Sequence, residues 1–164
     1  MAEDNVKTCI LGVDPGYGRI GWGVIEGEKN CWRHAAHGCI ETSSKEPFFD
    51  RLLELQKELK SIIHKYRPTR AAVEDLYFAK NVKTAMKVGQ ARGVILLTLH
   101  EAGLAVQELS PLQVKQAISG YGRAEKRQVE KLVALELGLK EKIRPDDAAD
   151  ALAIALTAGF LRRH

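Results

Sequence analysis

Residues 8–13 form an apolar run, Asp-Pro-Gly follows at 14–16, and a second apolar run at 20–25 returns beside the first, which is the pattern of a β-hairpin. A third strand is expected at 37–42, after a polar turn at 26–30. Leu52, Leu55, Leu59, Ile62, Ile63 and Tyr66 then recur at helical spacing, and Pro68 stops that helix. A β-like segment at 70–76 precedes a long helical pattern at 81–102, which Gly103 ends, and 104–109 supplies a fifth strand. Ser110, Pro111 and Gln113 provide an N-cap, a first-turn proline and a capping-box partner, so a short helix starts there and is broken by Gly120 and Gly122. Further helices are expected at 125–137, stopped by Gly138, and at 146–161.

Three strands, a helix, a strand, a helix, a strand and three helices predict an α/β architecture: a meander of three antiparallel strands extended by two parallel ones. Helices would cover both faces of this mixed five-stranded sheet. The ribonuclease-H-like fold has that order. No internal repeat or low-complexity linker interrupts the chain, so one domain is expected over 1–164.

Composition narrows the class. A chain of 164 residues, 45% hydrophobic and 28% charged, can close one full core and is neither disordered nor membrane-embedded in character. No apolar run approaches the ~18 residues of a membrane span. Glu3 and Asp4 stand where a signal peptide would be basic. Cys9, Cys31 and Cys39 are odd in number and lack C-x-x-C spacing, so neither a zinc nor a disulfide framework is expected, and a reducing cytoplasm fits. The net charge of +4 points modestly to a polyanionic partner. Its distribution says more: between 77 and 124 the only acids are Glu101 and Glu108, against Lys80, Lys83, Lys87, Arg92, Lys115 and Arg123.

Four acids stand at positions where the pattern asks for core. Asp14 ends an apolar strand, although Asp before Pro-Gly is also good turn chemistry. Glu74 follows Ala71, Ala72 and Val73 in a strand of the type buried on both faces, unless a place at the strand end leaves it solvated. Asp147 and Asp150 are three apart near a helix start and share a face. Acids at a helix N-terminus also complement its dipole, a reading that suits Asp146 and Asp147 better than Asp150, which lies among alanines and leucine. If the proposed order holds, the four meet at one side of the sheet. Carboxylates ~4 Å apart repel by roughly 1 to 4 kcal/mol per pair, so a cation is required. Hard oxygen donors select Mg²⁺ or Mn²⁺, and two such ions can clamp the attacking and leaving oxygens of a phosphodiester.

Several stretches together resemble the RuvC-type Holliday-junction resolvases: Ile-Leu-Gly-Val-Asp-Pro-Gly at 10–16, Ala-Val-Glu-Asp-Leu-Tyr-Phe-Ala-Lys-Asn at 72–81, Gly-Gln-Ala-Arg-Gly-Val at 89–94, Gln-Val-Lys-Gln at 113–116, Gly-x-Ala-Glu-Lys-x-Gln-Val at 122–129 and Asp-Ala-Ala-Asp-Ala-Leu-Ala-Ile-Ala at 147–155. The resemblance covers nearly the whole chain. It implies that Asp14, Glu74, Asp147 and Asp150 are the metal-binding acids, with two Mg²⁺ per active site in the working complex and Mn²⁺ able to substitute. It implies a homodimer making paired symmetric nicks in four-way junction DNA during recombination and repair, beside a branch-migration complex of the RuvA–RuvB type. Lys115 and Lys126 match basic family positions that contact phosphate near the cut, and Tyr77 matches an aromatic position suited to stacking on an unpaired base.

Lys80, Lys83 and Lys87 lie at helical spacing and can track a DNA backbone, as can Arg123, although a solvated face is the plain alternative for each. Arg123 also departs from the small residue expected in its glycine loop. Asp75 should face away from Glu74, and Asp146 is left out of the site. His34 and His37, three apart in a strand region, are expected on opposite faces and not to share an ion. The rival readings are a ribonuclease-H-like nuclease acting on RNA and a junction-binding module that does not cut. An actin-like phosphotransferase is disfavoured because it needs two such domains.

Overall fold

The computed structural model describes residues 7–28, 31–76 and 81–161. Strands β1 (Thr8–Asp14), β2 (Arg19–Glu28) and β3 (Cys31–Glu41) form an antiparallel meander; β4 (Arg70–Glu74) adds parallel to β1, and β5 (Ala105–Leu109) parallel to β4. The sheet order is β3-β2-β1-β4-β5. Helices α1 (Phe48–Tyr66) and α2 (Val82–Glu101) cover one face, while α3 (Pro111–Ser119), α4 (Lys126–Glu136) and α5 (Asp146–Phe160) cover the other. The mixed, helix-covered sheet is the one the pattern predicts.

Alternation along the central strands sorts the two cores. Leu11 and Val13 of β1 and Val73 of β4 join Leu55, Leu59, Ile95 and Leu99 on the α1/α2 side. Ile10 and Ala72 join α5 on the other side. Every residue of α5 from Ala148 to Gly159 is buried except Asp150. Such depth needs close approach, and glycine supplies it: a methyl group on Gly12 would lie 2.1 Å from the Ala151 carbonyl oxygen, and one on Gly21 would lie 1.9 Å from that of Asp147. The bare backbone of β1 and β2 is thus the seat of α5.

The capping box at Ser110 and Gln113 forms as expected, with Gly120 closing α3 in a left-handed conformation. Other boundaries move. Helix α1 starts at Phe48, one turn ahead of the Leu52 that opens the apolar spacing, and Phe48 packs edge-on against Tyr17 at 6.5 Å. Strand β3 is longer than 37–42: Cys31–Glu41 pairs along β2, with Trp32 buried. The turn expected at 26–30 narrows accordingly, since Glu26, Gly27 and Glu28 pair with Arg33, Trp32 and Cys31.

The expectation that His34 and His37 face opposite ways is overturned. His34 Nε2 and His37 Nδ1 lie 2.7 Å apart, with ring centroids at 4.8 Å. The cause is a register shift between Val24 and Ile25, which pair with Ala36 and His34, so that Ala35 is an extra residue on β3. A bulge resets the alternation and brings residues three apart onto one face. Cys9, Cys31 and Cys39 are all free thiols. Among the described residues, no helix is long and apolar enough to cross a membrane.

Candidate active site

Asp14 and Glu74 end β1 and β4, adjacent parallel strands whose pairing runs through Val13 and Val73 immediately before them. A period of two from Gly12 and Ala72 turns both carboxylates toward α5. That helix begins over Gly21, the β2 partner of Asp14, so Asp147 and Asp150 in its opening turns arrive beside the two strand ends. All four sequence-predicted acids are therefore brought to one place. Glu74 and Asp150, with Lys115 and Lys126, line a cavity of about 220 Å³ walled by Val114, Val129 and Ala153.

Electrostatics report the crowding. Burial, followed by repulsion from Glu74, Asp150 and Asp147, pushes the Asp14 carboxyl up to about 8, against a smaller opposing pull from Lys126. Burial and then Asp150 raise Glu74 to about 7, opposed by Lys126 and Lys115. Asp150 is also raised, first by burial, despite its hydrogen bond from Lys126. Mutual repulsion at a half-dry site is what a divalent cation relieves, and the oxygen-only donor set fits a hard ion.

Two side-chain cations already answer part of this charge. Lys126 Nζ donates to Asp150 Oδ2 at 2.9 Å, and Arg19 Nε donates to Asp147 Oδ2 at 3.0 Å while its Nη1 reaches Glu41 at 2.6 Å. Among the described residues, no three acidic, histidine or cysteine side chains stand close enough to form a ready-made ion cage. Asp147 and Asp150 are turned toward their cations instead.

Arg19 and Glu41 escaped the sequence reading. An arginine just after a turn looks like a solvated residue, and only the β2–β3 register, which pairs Arg19 with Glu41, reveals the bridge. The neighbouring acids go elsewhere. Asp75 lies 3.3 Å from Arg92, which also binds Glu108, and Asp146 lies 3.5 Å from Lys142. Lys83 and Lys87 are exposed on α2, apart from the acids, and the Lys87 ammonium lies 5.7 Å and 5.6 Å from the Tyr17 and Phe48 ring centres. Arg123 is exposed between α3 and α4. Tyr77, Phe78 and Lys80 lie outside the described residues.

A meander extended by parallel strands, with acids on its two central strand ends and on the helix laid across them, defines a ribonuclease-H-like nuclease. The family model described as crossover junction endodeoxyribonuclease RuvC matches residues 10–158. The chain belongs to the RuvC family. It is 50% identical over 154 residues to the crossover junction endodeoxyribonuclease RuvC of Petrotoga mobilis, covering 94% of each chain. Against that of Rubrobacter xylanophilus it is 50% identical over 163 residues, covering 99% of this chain and 91% of the relative. Among solved structures, Thermus thermophilus RuvC in complex with Holliday junction substrate superposes with a TM-score of 0.89 at 39% identity, covering 93% of both chains. The yeast mitochondrial Holliday junction resolvase Ydc2, at 14% identity and a TM-score of 0.67 over 92% of this chain and 78% of its own, shares the fold.

Proposed function

We propose that this chain is a metal-dependent endonuclease that resolves four-way DNA junctions by paired symmetric nicks, acting in the cytoplasm in recombination and repair. The observation that carries it is the convergence of Asp14, Glu74 and Asp150 with Asp147 in one coupled cluster, in a chain of the RuvC family. The reading takes 1–164 as one nuclease domain.

In this reading the four acids hold Mg²⁺, two ions per site, with Mn²⁺ as a substitute. Bound there, the ions supply a water of lowered pKa and neutralise charge on the leaving oxygen. Asp14 and Glu74 contribute oxygen donors from rigid strand ends, and Asp147 and Asp150 contribute theirs from α5. Lys126, which donates to Asp150, would be placed to contact phosphate with ions held by the acids. Lys115, which lines the same cavity, would steady the same strand. Lys80, Lys83, Lys87 and Arg123 would contact the backbone of the duplex arms, and Tyr77 would stack on a base at the junction centre.

A four-way junction has two equivalent strands to cut, which a two-fold homodimer with two active sites matches. A branch-migration complex of the RuvA–RuvB type delivers the junction. The test is cleavage of a synthetic four-way junction by the purified protein. Symmetric nicking with Mg²⁺ or Mn²⁺ and none with EDTA is expected, whereas equal cutting of junction and plain duplex would remove the resolvase reading.

A further inference from the structure

A second, larger hollow opens beside the acid cluster, about 760 Å³ in volume, between α4 and the segment that leads into α5. Its construction is specific. Ala134, Leu139 and the buried Ile143 form an apolar floor. Lys142 bridges Glu130 at 3.9 Å and Asp146 at 3.5 Å, tying the leading segment to α4 and to the start of α5. Arg127, Lys131 and Lys140 stand exposed on the rim, and among the described residues none of the three has an acidic partner.

The hollow adjoins the cavity at the acids, with Lys126 lining both. A strand whose phosphate sits over Asp150 and runs past Lys126 meets this second hollow next. Arg127 and Lys131 are one helical turn apart on one face, ~6 Å along the axis, a separation on the scale of neighbouring phosphates of one strand. A sugar-phosphate backbone presents anionic phosphates outside and deoxyribose carbons inside. The hollow presents the complement, a cationic rim over an apolar floor.

We propose that this groove binds the DNA backbone of the junction arm adjoining the cut, with Arg127, Lys131 and Lys140 as its phosphate contacts. The assignment rests on the nuclease reading above and extends it to the arm. Adjacency to the acid cleft through Lys126 selects DNA over an acidic protein segment, which has no reason to begin at the cutting site. The arm-side contacts give affinity that depends on the length of that arm and not on its sequence.

The test compares the full-length protein with the triple variant Arg127→Gln/Lys131→Gln/Lys140→Gln, measuring junction binding against salt in Ca²⁺ so that the DNA stays intact. Each lost phosphate contact should lower the slope of log affinity against log salt by about 0.9, so a decrease of about 2 to 3 is expected. The decrease should vanish on a junction whose arms are trimmed to the few base pairs beside the crossover. A control triple on the opposite face of the sheet, Lys45→Gln/Lys57→Gln/Lys65→Gln, removes the same charge and should leave the slope in place. An unchanged slope in the groove variant would overturn the proposal and leave the hollow to an acidic protein segment, and an equal fall in the control would overturn it as a net-charge effect. Wild-type cleavage of the same junction is read separately: if it fails, the nuclease reading falls, whereas intact cleavage with an unchanged slope removes the groove alone.

Discussion

Arg19 donates from Nε to Asp147 Oδ2 at 3.0 Å, so the acid at the head of α5 is held by a cation from β2. An ion drawing on Asp147 would compete with this partner for the carboxylate's charge. Exposed pairs of this kind contribute ~0.2–1 kcal/mol. Arg19→Gln should therefore let Mn²⁺ reach half-saturation at a concentration up to about fivefold lower, measured by titration of the DNA-free protein. An unchanged or weakened Mn²⁺ affinity would show that the pair does not compete with the ion.

Asp14 is the acid most strongly coupled to the others, with Glu74, Asp150 and Asp147 all acting on it. Asp14→Asn should slow junction cleavage by more than the ~10–100-fold typical of losing an outer-shell partner, while junction affinity is retained or improved, since a negative charge facing phosphate is gone. Cleavage assays and gel-shift titrations on the same junction check both halves.

The raised carboxyls set a pH dependence. Asp14 at about 8 and Glu74 at about 7 bind protons in the folded state over a range where unfolded acids, titrating near 4, have released them. Their contribution to stability is thus fully present below about pH 4 and is lost as pH rises through 7 and 8. In EDTA, the thermal midpoint should fall between pH 5 and pH 9, and Mg²⁺ should offset the fall most at the upper end, where the acids are free to bind it. A midpoint that rises with pH in EDTA would contradict the crowding described for this site.

Gly21 lets α5 rest on β2, and a methyl group there would meet the Asp147 carbonyl at 1.9 Å. Overpacking of this kind costs ~1–3 kcal/mol, and a displacement of ~1 Å at a catalytic group costs ~100-fold in rate. Gly21→Ala should therefore remain folded with a lowered thermal midpoint, yet cut junctions about 100-fold more slowly. Full activity alongside lowered stability would show that the seat supports the helix without aligning the acids.

Asp75 and Asp146 serve as contrasts, being committed to Arg92 and Lys142. Asp75→Asn and Asp146→Asn should each leave junction cleavage within a few fold of wild type, as expected for the loss of an exposed ion pair.

Glu74 and Asp150 stood out because each breaks a strong local pattern, one at the end of a buried strand and the other in a helix otherwise buried from Ala148 to Gly159, whereas Asp14 and Asp147 have ordinary local readings, as a turn residue and a helix-start acid, and joined them through the family resemblance. The faces of Glu74 and Asp75 followed from alternation alone. Alternation failed at His34 and His37, because one extra residue in a bulge changes the face without changing the composition. Arg19 was hidden for another reason: its role depends on Asp147, 128 positions away, and nothing near it in sequence distinguishes it from a solubility residue. The groove beside α4 is likewise a product of packing, formed where Lys142 ties separate segments together.

The burial of α5 has a consequence for how the acids behave over time. A helix enclosed on nearly every side cannot fray or lift without dissolving both the sheet face and the helices around it, so its amides should exchange only through opening of the whole fold. Breathing of surface loops and outer helices then leaves Asp147 and Asp150 in register with the strand ends. The scaffold holds its cutting geometry until the moment it unfolds, which leaves adaptation to the shape of the DNA to the parts that surround it.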